Sequence, residues 1–427
     1  MADKTQVFPL DPDDSVRTRL THSHEVANLA HSMGERLVRH EPRIFGSDVA
    51  DAAAPTILAA IGLAHDLGNP PFGHKGEDAI RDWFKKHKEI FVGLPDEACE
   101  DFVNFEGNAQ TLRLVSHLQV SAGGVGLDLT AATLAALMKY TVSASDVEKR
   151  KPFRTALNKK PGYFKSETEI VDWIREKTGI ASGERHPLTW LMEACDDIAY
   201  SILDIEDSIK KSIISPEDVR ANLGRVSPSP QLSLLMQTLN DDFDASHARG
   251  REAKMSEMQI AEIKTSYLRT RLIELLVTGA ADEFLNNKKA IFARSHTGCL
   301  LESGTFASKI CKALKDFALL HSYNHTSVLR VELQGAFAIS RLMDWFWKAI
   351  VERQESADPA SRRLGAFNVY VYDLISRNYR QEFETAVPTV KLPQRYRELQ
   401  LLADMVSGMT DGYAMALFRD LERLSRA

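Results

Sequence analysis

The sequence predicts an all-α fold, and three observations predict it. Apolar residues recur mostly with the 3.6-residue period of a helix rather than the two-residue period of a strand. The periodic stretches end at strong helix breakers, of which Gly68-Asn69-Pro70-Pro71 is the clearest. The composition, 44% hydrophobic and 26% charged over 427 residues, is ordinary for a globular chain and excludes wholly disordered, collagen-like and coiled-coil architectures.

The first helix is expected over residues 21–40, where His22, Val26, Leu29, Met33 and Leu37 form one stripe facing a core. His22 therefore points inward, while His24 and His31 fall on the opposite side. A second helix over 52–67 is stopped by the Gly-Asn-Pro-Pro breaker and has His65-Asp66 on its last turn. A third, over 188–211, buries Leu191, Cys195, Ile198, Ile202, Ile205 and Ile209, with Asp196, Tyr200 and Asp204 in a polar strip beside them. Further helical patterns lie near 128–139, 167–177, 258–277, 308–321, 328–353 and 392–426; irregular connections lie near 121–126, 142–164, 226–231 and 355–365. There is no internal repeat. The expected division is residues 1–215 and 216–427, with a single continuous domain as the alternative.

Several function classes fall away on composition. The longest apolar run, residues 57–64, is far short of the roughly 20 residues of a spanning helix. The N-terminus lacks the basic-then-apolar order of a secretory signal, so a cytoplasmic location is expected. Cys99, Cys195, Cys299 and Cys311 form no C-x-x-C pair and read as buried thiols. A net charge of −6 argues against a protein that coats nucleic acid by bulk charge, so an anionic ligand must be met locally. The run Lys149, Arg150, Lys151, Arg154, Lys159, Lys160 and Lys165, with no acid among them, offers such a place; on composition alone it is equally a solvated loop.

Divalent metals take imidazole and carboxylate ligands, and His65-Asp66 presents both from one turn. His22 on a buried face and Asp196 at the edge of another are costly to bury unless paired or coordinated. Taken singly, each has a plainer reading as a satisfied core histidine or an ion-paired carboxylate.

The segments Arg17-Thr18-Arg19-Leu20-Thr21-His22-Ser23, Ala64-His65-Asp66-Leu67-Gly68-Asn69-Pro70-Pro71-Phe72-Gly73-His74-Lys75-Gly76-Glu77, Asn104-Phe105-Glu106-Gly107-Asn108-Ala109-Gln110 and Met192-Glu193-Ala194-Cys195-Asp196-Asp197-Ile198-Ala199-Tyr200 resemble those of the HD-domain deoxynucleoside triphosphate triphosphohydrolases, nearest the bacterial deoxyguanosine triphosphatase branch. The resemblance runs from Lys4-Thr5-Gln6-Val7-Phe8 to Glu332-Leu333-Gln334-Gly335 and weakly beyond. It implies an HD-domain helical bundle with additional C-terminal helices.

It also implies metal ligands His22, His65, Asp66 and Asp196, holding Mg²⁺ or Mn²⁺, and a catalytic pair His74 and Glu77. Arg19, Lys139, Tyr140 and Lys160 are implied near phosphate or base, and Tyr200 and Asp204 near the deoxyribose, with the ring crowding the 2′ edge. Tyr323, Glu332 and Arg380 stand in segments that look like later pocket-lining ones. Thr326 replaces a usual proline and His24 a usual apolar residue.

The implied reaction cleaves the α-phosphorus to 5′-oxygen bond, giving deoxynucleoside and inorganic triphosphate, with His74 acting either on water or on the leaving oxygen. Competing expectations are a nucleoside monophosphatase or cyclic-nucleotide phosphodiesterase on the same fold, or a nonhydrolytic nucleotide or single-strand nucleic-acid sensor. Implied partners are the dNTP, further copies of the chain as a hexamer or dimer-based oligomer, and an allosteric dNTP or single strand; no membrane is among them. Because the family usually has several tens of residues before the segment matching Lys4 to Phe8, weak base selectivity and a looser hexamer are expected.

Overall fold

The computed structural model describes residues 1, 3–4, 6–11, 13, 15–119, 126–149, 155–385 and 392–426. The described residues form eighteen α-helices and no strand, only the isolated bridges Ser143 to Tyr163 and Arg353 to Arg363. In chain order the helices are α1 (Arg19–His40), α2 (Asp48–Ala64), α3 (Gly73–Lys86), α4 (Asp96–Val103), α5 (Gly107–Arg113), α6 (Ala131–Leu137), α7 (Ala144–Lys149), α8 (Thr168–Thr178) and α9 (Pro187–Lys210). They continue as α10 (Pro216–Leu223), α11 (Pro230–Glu252), α12 (Glu257–Phe292), α13 (Phe306–Ala318), α14 (Thr326–Val351), α15 (Ala366–Asp373), α16 (Arg377–Thr385), α17 (Gln394–Ser407) and α18 (Asp411–Ser425). Among the described residues, no helix is long and apolar enough to cross a membrane.

The helices pack around two apolar cores. One gathers α1, α2, α6, α8 and α9 with α10 to α13; the other gathers α3 and α4 with α14 to α18. Each core draws on residues from both sides of position 215. Arg113 ties them together: Nη2 donates to Asp404 Oδ2 on α17 at 2.8 Å and Nη1 to Glu167 Oε1 at 2.9 Å, all three side chains being buried. Removing one member of such a buried set strands the other charges, at a cost of about 3–5 kcal/mol.

The α1–α2 contact is the closest of these packings in its consequences. A Cβ on Gly62 would lie 2.7 Å from Ala27 Cα and 2.9 Å from Ala27 N, so only glycine lets the two backbones meet there. That approach brings His22, one turn before Ala27, alongside His65, one turn after Gly62. The breaker after α2 ends at Phe72, whose φ of 61° turns the chain sharply into α3.

Several boundaries differ from expectation. The pattern over 392–426 is two helices, because Thr410 caps a new N-terminus after Gly408 ends α17. The pattern over 258–277 continues to Phe292, its polar second half still burying Ala280, Ala281, Phe284 and Ile291. His74 and Glu77 stand near the start of α3; α11 went unrecognised although Leu232, Leu235, Leu239 and Phe243 mark its buried side. The connection at 142–164 contains α7, and all but its last residue of the one at 121–126 lies outside the described residues. Cys195, Cys299 and Cys311 are buried free thiols; Cys99 is half-buried.

Gly62→Ala is expected to part α1 from α2 and lower unfolding stability by about 1–3 kcal/mol, the usual cost of overpacking. Urea denaturation reads this; an unchanged midpoint contradicts the close-approach account.

Candidate active site

Three helices deliver the imidazoles and carboxylates to one point. His22 comes from α1, His65 caps the C-terminus of α2, Asp66 follows it, and Asp196 comes from α9. His22 Nε2 lies 3.2 Å and His65 Nε2 3.4 Å from Asp196 Oδ1, and ligand atoms of these three residues all fall within 4.8 Å of one another. His65 Nδ1 sits 2.8 Å from Gly62 O, a contact in which Nδ1 donates and Nε2 is turned toward the carboxylates. Asp66 stands at the edge of the group: its Oδ1 is 3.6 Å from His65 Nε2 and accepts from Asn69 Nδ2 at 2.5 Å, while Arg19 donates to Oδ2.

The electrostatics favour a bound cation. Burial opposes a charge on His65, yet Asp66 and Asp196 outweigh it and push the imidazole up to about 9. Burial likewise opposes charge on Asp196, but His65 and His22 hold it well below the ordinary carboxylate value. Asp66 is held low against burial by Arg19 and His65. His22 Nδ1 and His65 Nε2 are buried without a hydrogen-bond partner. Two imidazoles converging on a shared carboxylate, with unpaired nitrogens, fit a divalent metal.

This point opens into a cavity of about 420 Å³, within the usual range for small-ligand sites. Arg19, Lys75, Lys139 and Lys160 line it as cations, and Asp66, Asp196, Glu106 and Glu332 as acids. Lys139 is paired with Glu193 at 3.3 Å and Lys160 with Glu106 at 3.0 Å. Gly162 makes the second placement possible: a Cβ there would fall 1.7 Å from Tyr140 O, so the Lys160-Pro161-Gly162 turn lies flat against Lys139-Tyr140. On one side Gln6, Val7 and Pro9 close the wall. That segment is pinned by the buried Lys4, whose Nζ donates to Asn69 O at 2.6 Å and Ser407 O at 2.7 Å.

Residues 19–137 match the HD domain family. A deoxyguanosinetriphosphate triphosphohydrolase-like protein of Listeria innocua is 35% identical over 443 residues, covering 100% of this chain and 90% of the relative. The deoxyguanosinetriphosphate triphosphohydrolase of Klebsiella pneumoniae is 32% identical, covering 98% of this chain and 89% of the relative. A probable deoxyguanosinetriphosphate triphosphohydrolase of Pseudomonas aeruginosa is 33% identical, covering 99% and 89%. The chain belongs to the deoxyguanosinetriphosphate triphosphohydrolase family.

Most of the residues the family resemblance singled out converge on this cavity. His74 opens into it from α3. Burial, with Lys160 and Arg19 nearby, lowers the His74 pKa below the imidazole value despite Glu77 and Asp66. Glu77 is buried behind it, accepting from Gly107 N at 3.1 Å and from Arg81 Nη1 at 2.6 Å. Tyr200 and Tyr323 line the cavity as a stacked pair, ring centroids 5.4 Å apart. Asp204 is fully buried rather than solvent-facing: it accepts from Tyr323 Oη at 2.6 Å, its Oδ1 has no partner, and burial pushes its carboxyl up to about 7.

Arg380 is not brought to the cavity. It lies on α16, which packs on α17 in the second core, and pairs with Asp373 at 2.6 Å. In the basic run, Lys149 pairs with Glu97 at the surface, Lys159 is exposed, and Arg150, Lys151 and Arg154 lie outside the described residues. Of the described members, only Lys160 reaches the cavity. Sequence reasoning missed Glu106, Lys75, Asn69 and the Gln6 to Pro9 wall. Glu106 sat in the motif-bearing segment Asn104 to Gln110 without a role, and an acid beside a helix-starting glycine was the available signal.

His65→Ala and Asp66→Ala are each expected to lose divalent metal binding and turnover together, since each loss also leaves neighbouring charge uncompensated. Metal analysis of the purified variants decides it; full metal content with full activity in either removes that residue from the centre.

Proposed function

We propose that this protein hydrolyses deoxynucleoside triphosphates, dGTP among them, to the deoxynucleoside and inorganic triphosphate. The observation that supports it best is one cavity in which the His22, His65 and Asp196 group, the Lys139 and Lys160 cations, and the Tyr200 and Tyr323 rings all meet. The relatives' names supply the substrate class.

His22, His65, Asp66 and Asp196 would hold Mg²⁺ or Mn²⁺, and a divalent ion there supplies positive charge that polarises an α-phosphate oxygen. Lys139 and Lys160, with Arg19 beside Asp66, meet the roughly four negative charges of the triphosphate locally in a chain of net charge −6. His74, neutral near pH 7, accepts a proton from the water that attacks the α-phosphorus, Glu77, fixed by Arg81 and Gly107, stabilises the imidazolium that results, and the departing 5′ oxygen takes a proton from solvent to become the deoxynucleoside hydroxyl. Tyr200 presses against the 2′ edge of the sugar. Asp204, behind the cavity lining, fixes Tyr323 by accepting from its hydroxyl, and its other oxygen has no partner. A monophosphate would leave Lys139 and Lys160 without a phosphate partner, so a monophosphatase reading is the weaker one.

A homo-oligomer belongs to the same reading. Leu319, Leu320, Leu333 and Phe337 are each more than half exposed, and Leu319 also lines the cavity, so an apolar rim lies beside its mouth.

Chromatography of products from dGTP with Mg²⁺ or Mn²⁺ tests the proposal: deoxyguanosine and triphosphate in equal amounts support it, and orthophosphate release refutes it. His74→Ala is expected to lower kcat by ~10²–10⁴-fold with metal and dNTP affinity retained. Because a base must be neutral to act, activity falls as pH drops, with the limb below the ordinary imidazole value of 6.5; a near-normal rate for the variant reassigns His74. Tyr200→Ala should raise the ratio of ribonucleotide to deoxyribonucleotide turnover, and an unchanged ratio removes the sugar gate.

A further inference from the structure

We propose that Glu106 is a positioning residue that holds Lys160 in the free protein and takes up a proton when Lys160 is drawn to the triphosphate. This rests on the triphosphate-binding role given to Lys160 above.

Two acids and two cations form a closed cluster on the cavity wall: Glu77, Arg81, Glu106 and Lys160. Arg81 Nη1 is committed to Glu77 Oε1 at 2.6 Å and to Phe105 O at 3.1 Å, and stands 3.7 Å from Glu106 Oε2. Lys160 Nζ, 3.0 Å from Glu106 Oε1, is therefore the close counter-charge of Glu106. Its other near partner is neutral, Asn108 Nδ2 at 2.7 Å. The remaining titratable neighbours are Glu77 from α3 and Tyr140, whose hydroxyl is pushed up by burial and stays neutral.

The two members of the pair differ in freedom. Glu106 is 2% exposed, its backbone starts α5 and its carboxylate accepts from Asn108 Nδ2, so it cannot follow a moving partner. The Lys160 side chain is 35% exposed at the cavity, and a ligand with several phosphate charges outcompetes one carboxylate for it. Once the ammonium swings to phosphate, Glu106 is a buried carboxylate beside Glu77, and the cation left to it, Arg81 at 3.7 Å, is shared with Glu77 and hydrogen-bonded elsewhere. A proton from solvent on its carboxylate is the least costly replacement. Burial and Glu77 already push Glu106 up to about 7 with Lys160 in place, so the proton is available at neutral pH.

The sign follows from linkage. Uptake on binding means that triphosphate affinity falls as pH rises, by up to about tenfold per pH unit once Glu106 is fully ionised in the free protein. Because burial and Glu77 raise the carboxyl of free Glu106, uptake on binding is partial near pH 7 and grows toward pH 8.

Calorimetric titration of the metal-loaded protein with inorganic triphosphate, in two buffers of different ionisation enthalpy at pH 7 and pH 8, measures this uptake. Comparing the wild type with Glu106→Gln cancels the ligand's own protonation. The expected result is an excess proton uptake, larger at pH 8 than at pH 7, that is absent from the variant. With it, KM for dGTP should rise between pH 7 and pH 8 in the wild type only, at little-changed kcat. Equal uptake and equal KM profiles in both proteins overturn the proposal. The wild type alone gives a second reading: a protonated-carboxyl band should appear in the infrared difference spectrum on adding triphosphate, and its absence counts equally against it. Lys160→Met separates the two layers: triphosphate affinity unchanged in that variant refutes the placement of phosphate at Lys160, whereas a loss of tenfold or more with wild-type uptake in Glu106→Gln refutes only the role of Glu106.

Discussion

One carboxylate, Asp196, shared between two buried imidazoles is the interaction on which the rest of the structure depends. His22 and His65 reach it from different helices, and they do so because α1 and α2 touch backbone to backbone at Gly62. The same glycine's carbonyl meets His65 Nδ1 and so selects which ring nitrogen faces the carboxylates. A residue with no side chain thus sets both the separation of the two rings and the direction of one ring nitrogen. Holding a carboxylate largely withdrawn from water at the cavity floor is unfavourable by itself. It is tolerated because positive charge converges on it, and that requirement makes the position suited to a metal.

On the proposed function, charge compensation explains how an acidic chain would meet a triphosphate. Three of the cations lining the cavity are held by an acid: Arg19 by Asp66, Lys139 by Glu193, Lys160 by Glu106. These pairs are mostly withdrawn from solvent, so they are screened less than surface pairs and keep long side chains in fixed positions. On that reading, phosphate binding is an exchange of partners rather than the filling of a bare positive patch. How easily each cation exchanges depends on where its acid sits, and Glu106, buried and unable to follow, gives the clearest case.

Much of this was legible in the sequence because it rests on periodicity and chemistry. The stripe through His22 and Met33 placed one imidazole inside, and the breaker after Leu67 placed His65-Asp66 at a helix end. The specific roles came from motif resemblance, since a His-Asp dipeptide alone does not separate a ligand pair from a structural one. What stayed hidden depends on long-range packing. Asp204 reads as a polar-strip residue on α9, yet Tyr323, 119 residues further on, covers it. Arg380 looks like a pocket cation until α16 is seen to pack on α17. Glu106 and Lys160 meet across 54 residues, and no local pattern announces the pair.

The central claim is that water attacks the α-phosphorus while the 5′ oxygen leaves, in a cavity where His74 and the His22, His65 and Asp196 group face the same point. Turnover of dGTP in water enriched in heavy oxygen, with each product weighed by mass spectrometry, tests this most directly. The account predicts one heavy oxygen in the inorganic triphosphate and none in the deoxyguanosine. Heavy oxygen in the 5′-hydroxyl of deoxyguanosine, or in released orthophosphate or pyrophosphate, would contradict it.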